Sequence, residues 1–343
     1  MVAQPDLKAP FPWFGGKSRA AALIWDRLGD VNNYVEPFAG SLAVLLGRPT
    51  EPRIETVNDK DGYIANFWRA VAVEPGQVAD YANWPVNAAD LTARNIWLTN
   101  KRDELLLRLM GDPDWYDVKI AGWWVWGISC SIGNNWCGGN GPWISVDGML
   151  TKRDDKSVRG VRNARPHVAG YTYGIGVHQN LRGVCNVMPN VDGLGHGKGV
   201  HSKNANLVEW FGRLSARLRK TRVCCGEWTK VLGNSPLRGS GPTGIVLDPP
   251  YKHDDRRPEI YAEDSPDIAA AVGAWAKEHG DNPDYRIALC GYEDAYDLPG
   301  WDAVGWKAHG GYANSLEDNP NATRETIWFS PHCVQPTRQL SFI

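Results

Sequence analysis

Residues 244–251 read Gly-Ile-Val-Leu-Asp-Pro-Pro-Tyr, and this stretch leaves the chain few choices. A β-prone apolar run, long enough for a buried strand, stops at a carboxylate. Two prolines follow, and they can continue neither a helix nor a central strand because each lacks a backbone N–H. The chain must therefore leave its sheet just after Asp248, holding an acid and the Tyr251 ring at the sheet's lip. In open α/β sheets that lip, beyond the carboxyl ends of the strands, is where ligands bind.

The rest of the sequence supplies the sheet. PWFGGKSRAAALIWDRLG passes from a glycine pair into a helical pattern whose apolar side is Ala22, Leu23, Trp25 and Leu28. NNYVEPF is a short strand ending at Glu36, and AGSLAVLLGRP turns on Gly40 into a short helix stopped ahead of Pro49. RIETVND is a second strand closed by Asp59, and the helix DGYIANFWRAV follows. A strand, glycine turn, helix and acid-terminated strand make a βαβ nucleotide-binding unit. Helical patterns cover 88–110 and 115–130, whereas 131–203, rich in Gly, Asn, Arg and His, shows no pattern strong enough for a regular element.

Alternation then resumes. LVEWFGRLSARLRK is a helix with Leu207, Trp210, Phe211, Leu214 and Leu218 on one face and Arg213, Arg217 and Lys220 around the rim. TRVCCGEW, TGIVLD and YRIALCGY read as strands, DIAAAVGAWAKEHG as a helix, and WDAVGWKAH with RETIWFS as a closing antiparallel pair. The apolar helical segment holding Trp123, Trp124 and Trp126 is expected to pack into the core.

Charge and cysteine usage narrow the function classes. The opening MVAQPDLKAP has no apolar signal region, and no apolar run approaches the roughly 18 residues of a membrane span, so a cytoplasmic protein with no membrane partner is expected. The seven cysteines form no CxxC pair, which argues against a disulfide framework or a zinc ribbon. His196, His201 and Cys185 match no ligand spacing, so no metal is expected. The net charge is only −2, yet residues 151–222 hold 14 Lys/Arg against 4 Asp/Glu. A basic middle inside an acidic chain suggests an insert that faces a polyanion.

Four elements now stand in order: WFGGK (Trp13–Lys17), EPFAGS (Glu36–Ser41), Asp59, and DPPY (Asp248–Tyr251). With the basic insert between the third and fourth, this set resembles the Dam-type DNA adenine methyltransferases, which use S-adenosylmethionine (SAM). The resemblance implies an α/β fold, a Rossmann-like SAM-dependent methyltransferase sheet. The catalytic domain would be discontinuous, 1–85 and 205–343, and 86–204 would be an irregular helical and loop target-recognition insert. It implies a SAM site drawn from Trp13, Phe14, Gly15, Lys17, Glu36, Phe38, Gly40, Asp59 and Asp248. Cys224–Trp228 (CCGEW) resembles a position that in the family reads as strand-x-Asp-Phe, here with Glu227-Trp228.

The residue types suit these roles. Gly40 has no Cβ to obstruct close approach of the backbone to a ligand. Asp59, ending the second strand, is placed to accept from a ribose diol. Trp13 and Phe38 offer ring faces to an adenine or a sulfonium, and Lys17 could meet a ligand carboxylate. The lone pair of adenine's exocyclic amine is delocalised into the ring. The Asp248 carboxylate and the Pro249 carbonyl can accept both amine hydrogens and free it, and Tyr251 can stack on the base; the resemblance makes Asp248, Pro249, Pro250 and Tyr251 together the catalytic motif. A base must leave the duplex to reach such a site. Arg153, Arg159, Arg162, Arg165, Arg182, Lys198 and Lys203 are candidate duplex contacts, and Asn134 and Asn135 candidate base readers. Arg256, Arg257 and Tyr261 lie on a charged loop that could close over the base. No nuclease signature accompanies these motifs, so a stand-alone enzyme on duplex DNA, with no obligate protein partner, is expected. Methylation of a cytosine amine, methylation of RNA and a catalytically silent DNA-binding relative are the alternatives.

Overall fold

A computed structural model of the chain describes residues 7–11, 13, 16–130, 136–137, 143–146, 149–152, 207–238, 241–250, 268–306 and 325–335. Helix α1 (Ala21–Leu28) leads into β1 (Asn33–Glu36), the short α2 (Ala43–Leu46) and β2 (Ile54–Asp59). Four helices follow: α3 (Gly62–Val73), α4 (Pro75–Ala82), α5 (Ala88–Gly111) and α6 (Val118–Cys130). A small antiparallel hairpin, β3 (Trp143–Val146) and β4 (Met149–Lys152), precedes α7 (Leu207–Leu218). Then come β5 (Thr221–Cys225), a 3₁₀ turn at Trp228–Val231, α8 (Asn234–Leu237) and β6 (Thr243–Leu247). Helix α9 (Ile268–His279), β7 (Tyr285–Tyr292), β8 (Asp302–Gly305) and β9 (Glu325–Phe329) complete the described part.

Among the described residues seven strands form one sheet in the order β5-β2-β1-β6-β7-β9-β8. The first five are parallel, and β9 runs antiparallel to both β7 and β8. This is the mixed α/β sheet expected of the sequence, closing antiparallel pair included. Its strands alternate between two cores, as side chains on a pleated strand must. Val57, Val246, Ala288, Cys290, Ile327 and Phe329 face one cluster with α1, α3, α6 and α7. Val35, Ile245, Leu247, Ile287, Leu289 and Trp328 face the other, under α9. Burial on both faces explains why TGIVL is uninterrupted by polar residues. Gly244 sits where α1 presses on the sheet: a Cβ there would lie 3.1 Å from Val31 and 3.3 Å from Leu28.

Helix α6 contributes Trp124 and Trp126 to the first core, as expected, while Trp123 stays partly exposed against Trp97. It is clasped to α3 by Asn66, whose side-chain amide donates to the Asp117 carbonyl and accepts from the Asp117 N–H. Among the described residues no helix is long and apolar enough to cross a membrane.

Several local expectations need correction. The buried side of α1 is Ala21, Ile24, Trp25, Arg27 and Leu28, and Ala22 is exposed. The hairpin β3–β4 lies in a stretch read as irregular, and α4 was not anticipated. Arg217, expected on the rim of α7, is buried. Its guanidinium donates to both oxygens of Glu55, at 2.7 and 3.0 Å, and to the Leu45 carbonyl at 2.7 Å. Glu55 is fully buried and also meets Arg48 at 3.2 Å and the Thr221 hydroxyl at 2.8 Å.

Candidate active site

The chain runs from β1 through β2 to β5 toward one edge of the sheet, and from β6 through β7 toward the other. The order reverses between β1 and β6, and at such a switch point the connecting loops part and leave a crevice at the carboxyl ends. Four of the quoted motifs converge there. Glu36 ends β1, Asp59 ends β2 and Asp248 follows β6 directly. Trp13 lies against Gly40 and Lys17 reaches Asp248.

The β1 and β2 loops are stitched together by Asp59. One carboxylate oxygen accepts from the Gly40 N–H and the other from the Asp61 N–H, both at 2.9 Å. Asp61, not Asp59, caps α3, accepting from the Tyr63 N–H. Gly40 has φ +46, and a Cβ there would come within 2.5 Å of the Trp13 indole nitrogen. Both the backbone conformation and the space demand glycine, and it is the Trp13 indole that lies against it. The Trp68 indole N–H donates to the Gly40 carbonyl at 2.9 Å. Asn58 donates to the carbonyls of Pro37 and Gly226, tying the loops after β1 and β5 to β2. Between those loops the Phe38 and Trp228 rings lie nearly parallel, 6.3 Å apart at 27°, and Lys60 pairs with Glu227 at 3.0 Å.

Lys17 and Asp248 meet on the other side of the switch point. The Lys17 side chain is only 4% exposed, and its ammonium lies 2.9 Å from Asp248 Oδ1 and 3.9 Å from Glu325 Oε2. Burial alone would lower its pKa, but the charges of Asp248 and Glu325 hold it above the usual lysine range. Here the ammonium is committed to carboxylates of the protein, whereas the sequence suggested a ligand carboxylate. Glu36, ending β1, is buried and accepts from the Tyr34 hydroxyl at 2.9 Å. Burial pushes Glu36 up to about 8, with the Asp248 charge adding to the effect. Burial likewise pushes Asp59 up to about 7. Pro249 is buried and Pro250 half-buried.

These raised acids give the protein a pH signature. Glu36 and Asp59 lie above their ordinary values of 4.5 and 3.8. The stability they contribute is therefore complete at acid pH and is lost as pH rises through about 7 and then about 8. Melting temperature is expected to fall by several degrees between about pH 5 and 8.5, and Glu36→Gln should flatten that decline. Melting curves across the range check this, and an unchanged slope in the variant would contradict the assignment to Glu36.

Phe14, Gly15 and Tyr251 lie outside the described residues. So do Asn134, Asn135, Arg153, Arg159, Arg162, Arg165, Arg182, Lys198, Lys203, Arg256, Arg257 and Tyr261, together with Cys185, His196 and His201. The structure also brings in residues that sequence reasoning did not place. Glu325 arrives because β9 starts at the same end of the sheet at which β7 finishes, Tyr292 facing Glu325. Tyr34 sits one turn of the pleat before Glu36, and the alternation NYVE was the available sign that both share a face. Among the described residues the buried Tyr296 hydroxyl has no hydrogen-bond partner, and burial raises its pKa, with the charges of Cys290 and Asp248 adding to the effect.

Residues 13–104 match the family described as D12 class N6 adenine-specific DNA methyltransferase, which bears out the resemblance to Dam-type enzymes and makes the family activity a transferase one. No curated protein matches the chain.

Proposed function

We propose, from the match of residues 13–104 to the family described as D12 class N6 adenine-specific DNA methyltransferase, that this chain methylates the exocyclic amine of an adenine rotated out of duplex DNA. The observation that carries the reading is the position of Asp248, one residue beyond β6, at the crevice where the sheet order reverses and next to the loops of β1 and β2. The sheet order and the βαβ unit support a Rossmann-like methyltransferase fold.

The residues fit SAM as the donor. Asp59 and the Gly40 turn form a polar cradle, and the Phe38 and Trp228 rings beside it offer an aromatic face to a planar base or a sulfonium. Bound there, SAM would supply an electrophilic methyl group. The Asp248 carboxylate and Pro249 carbonyl would accept the two amine hydrogens and turn the nitrogen lone pair toward the methyl group. As the N–C bond forms the S–C bond breaks, the thioether product leaves, and the proton lost by the amine passes to the Asp248 carboxylate and on to solvent. Positioning supplies most of the acceleration, and no covalent enzyme intermediate is needed. We place duplex contacts in the 86–204 insert. Because α5 and α6 pack on the core, the duplex-facing part would follow Cys130, where the basic residues concentrate. A soluble, cytoplasmic enzyme acting alone fits this reading.

The test is direct. Incubation with SAM and duplex DNA, digestion to nucleosides and mass spectrometry should yield N6-methyladenine. N4-methylcytosine would redirect the activity to the other exocyclic amine, and no methylated nucleoside would remove the enzymatic reading. A separate expectation concerns the donor: Asp59→Asn should weaken SAM binding by about 1–3 kcal/mol, the scale of hydrogen bonds to a charged acceptor. Titration calorimetry measures this, and an unchanged affinity would take Asp59 out of the site.

A further inference from the structure

The loop that follows β1 is tied at its ends. The Ala39 N–H donates to the Asn58 carbonyl on β2, and the Leu42 N–H, entering α2, donates to the Ala39 carbonyl, both at 2.8 Å. Residues 39–42 therefore form a tight turn whose central peptide joins Gly40 to Ser41. Gly40 at φ +46 and Leu42 at φ +54 both lie in the left-handed region, which a leucine visits only where its surroundings hold it there. The central peptide of a tight turn can rotate as a unit between two turn types while the ends stay in place. Glycine, the most permissive residue, does little to resist that rotation.

Two side chains oppose it, one for each peptide flanking Gly40. The Asp59 carboxylate accepts from the Gly40 N–H at 2.9 Å and fixes the peptide before it. The indole N–H of Trp68, fully buried on α3, donates to the Gly40 carbonyl at 2.9 Å and fixes the peptide after it. A trans peptide is planar with its C=O and N–H opposed, so drawing this carbonyl toward α3 turns the Ser41 N–H away from it. Rotation would exchange the two and show a carbonyl oxygen where the turn now shows a donor. We propose that Trp68 is a positioning residue for the methyl-donor site, selecting the one orientation of the Gly40–Ser41 peptide that SAM binding uses. Buried as it is, Trp68 acts through the turn and not on a ligand. The inference rests on the reading of Asp59 and Gly40 as part of a SAM site, and it gives α3 a role that none of the quoted motifs marks.

Losing the donor lowers the share of molecules whose turn is ready to bind, and apparent affinity falls by that share while the step after binding is unaffected. Trp68→Phe keeps a ring in the core and removes the N–H. Trp25→Phe is the comparison: Trp25 is likewise buried and donates to the Val44 carbonyl in α2 at 2.7 Å, so it loses a bond of the same kind near the turn but not in it. Calorimetric titration with SAM, single-turnover methyl transfer to genomic duplex DNA at saturating SAM, and melting curves are measured for wild type and both variants. Trp68→Phe should bind SAM about 5- to 50-fold more weakly and transfer methyl at saturation within about threefold of the wild-type rate. Trp25→Phe should melt at a lower temperature and keep SAM affinity within about twofold of wild type. Unchanged SAM affinity in Trp68→Phe overturns the proposal, and so does an equal loss in Trp25→Phe, which would mean a general loosening of the core. If Trp68→Phe does not fold, replacing Trp68 by 3-benzothienylalanine, the same shape with sulfur in place of the N–H, decides by the same thresholds. A wild-type protein that binds no SAM removes the underlying reading before any variant is made. One that binds SAM and tolerates the loss of the Trp68 donor removes this proposal alone.

Discussion

Replacing Asp248 with asparagine is expected to lower methyl transfer by about 10²- to 10⁴-fold, the range lost when a positioned catalytic or charge-stabilising group is removed. Asparagine retains an oxygen that can face Lys17, so the fold and most duplex affinity should survive. The choice of substitution matters. Asp248→Ala would leave the Lys17 ammonium, 4% exposed, with Glu325 at 3.9 Å as its nearest recorded carboxylate, and breaking a buried pair in this way costs about 3–5 kcal/mol. A dead alanine variant could thus be an unfolded one. The asparagine variant separates the two causes: circular dichroism and melting should match wild type within a few degrees while turnover collapses. Turnover within tenfold of wild type would remove Asp248 from the chemistry.

The second large effect concerns the fold alone. Arg217→Ala should destabilise the protein by about 3–5 kcal/mol, the cost of breaking a buried ion pair by removing one partner. The carboxylate it leaves behind, Glu55, is fully buried and would keep Arg48 and the Thr221 hydroxyl as recorded partners. The Leu45 carbonyl would lose its guanidinium donor as well. Glu55 is the second residue of β2, Arg217 lies in the last turn of α7 and Arg48 follows α2, so the network pins three elements at the end of the sheet away from the proposed chemistry. Arg217→Met should cost less than Arg217→Ala because it preserves packing volume. Urea denaturation reads both, and a loss below about 1 kcal/mol for alanine would show that the buried pair contributes little.

What the sequence made legible was whatever a local pattern could encode. Uninterrupted apolar runs closed by Glu36-Pro37 or Asp248-Pro249 located strands and their exits, because proline ends a central strand wherever it falls. The glycine turn at residue 40 and the acid at residue 59 were likewise readable from their neighbours. Partnerships across the sheet were not. Glu325 reaches Lys17 only because β9 is inserted beside β7, and nothing within RETIWFS reports strand order. The helical wheel of α7 placed Arg217 beside the apolar face, but its partner is 162 positions away in sequence, so burial could not be inferred from the helix. On α1 the apolar stripe was set one position off, because Ala22 is indifferent to exposure while Arg27, polar by type, is buried against Phe329 and Asp302. The hairpin β3–β4 did carry a sign, the Asp-Gly pair between two short β-prone runs. The candidate duplex contacts Arg153, Arg159, Arg162, Arg165, Arg182, Lys198 and Lys203 lie outside the described residues, so the duplex-binding reading of the insert rests on their charge.

The central claim is geometric: a carboxylate and a proline carbonyl at the lip of β6 together hold an extruded adenine amine. The most direct measurement is a crystal structure of the protein with a methylatable duplex and S-adenosylhomocysteine. The account predicts the target adenine outside the helix, its amine nitrogen within about 3 Å of both the Asp248 carboxylate and the Pro249 carbonyl. An adenine still stacked in the duplex, or an amine held by other groups with Asp248 remaining on Lys17 alone, would contradict it.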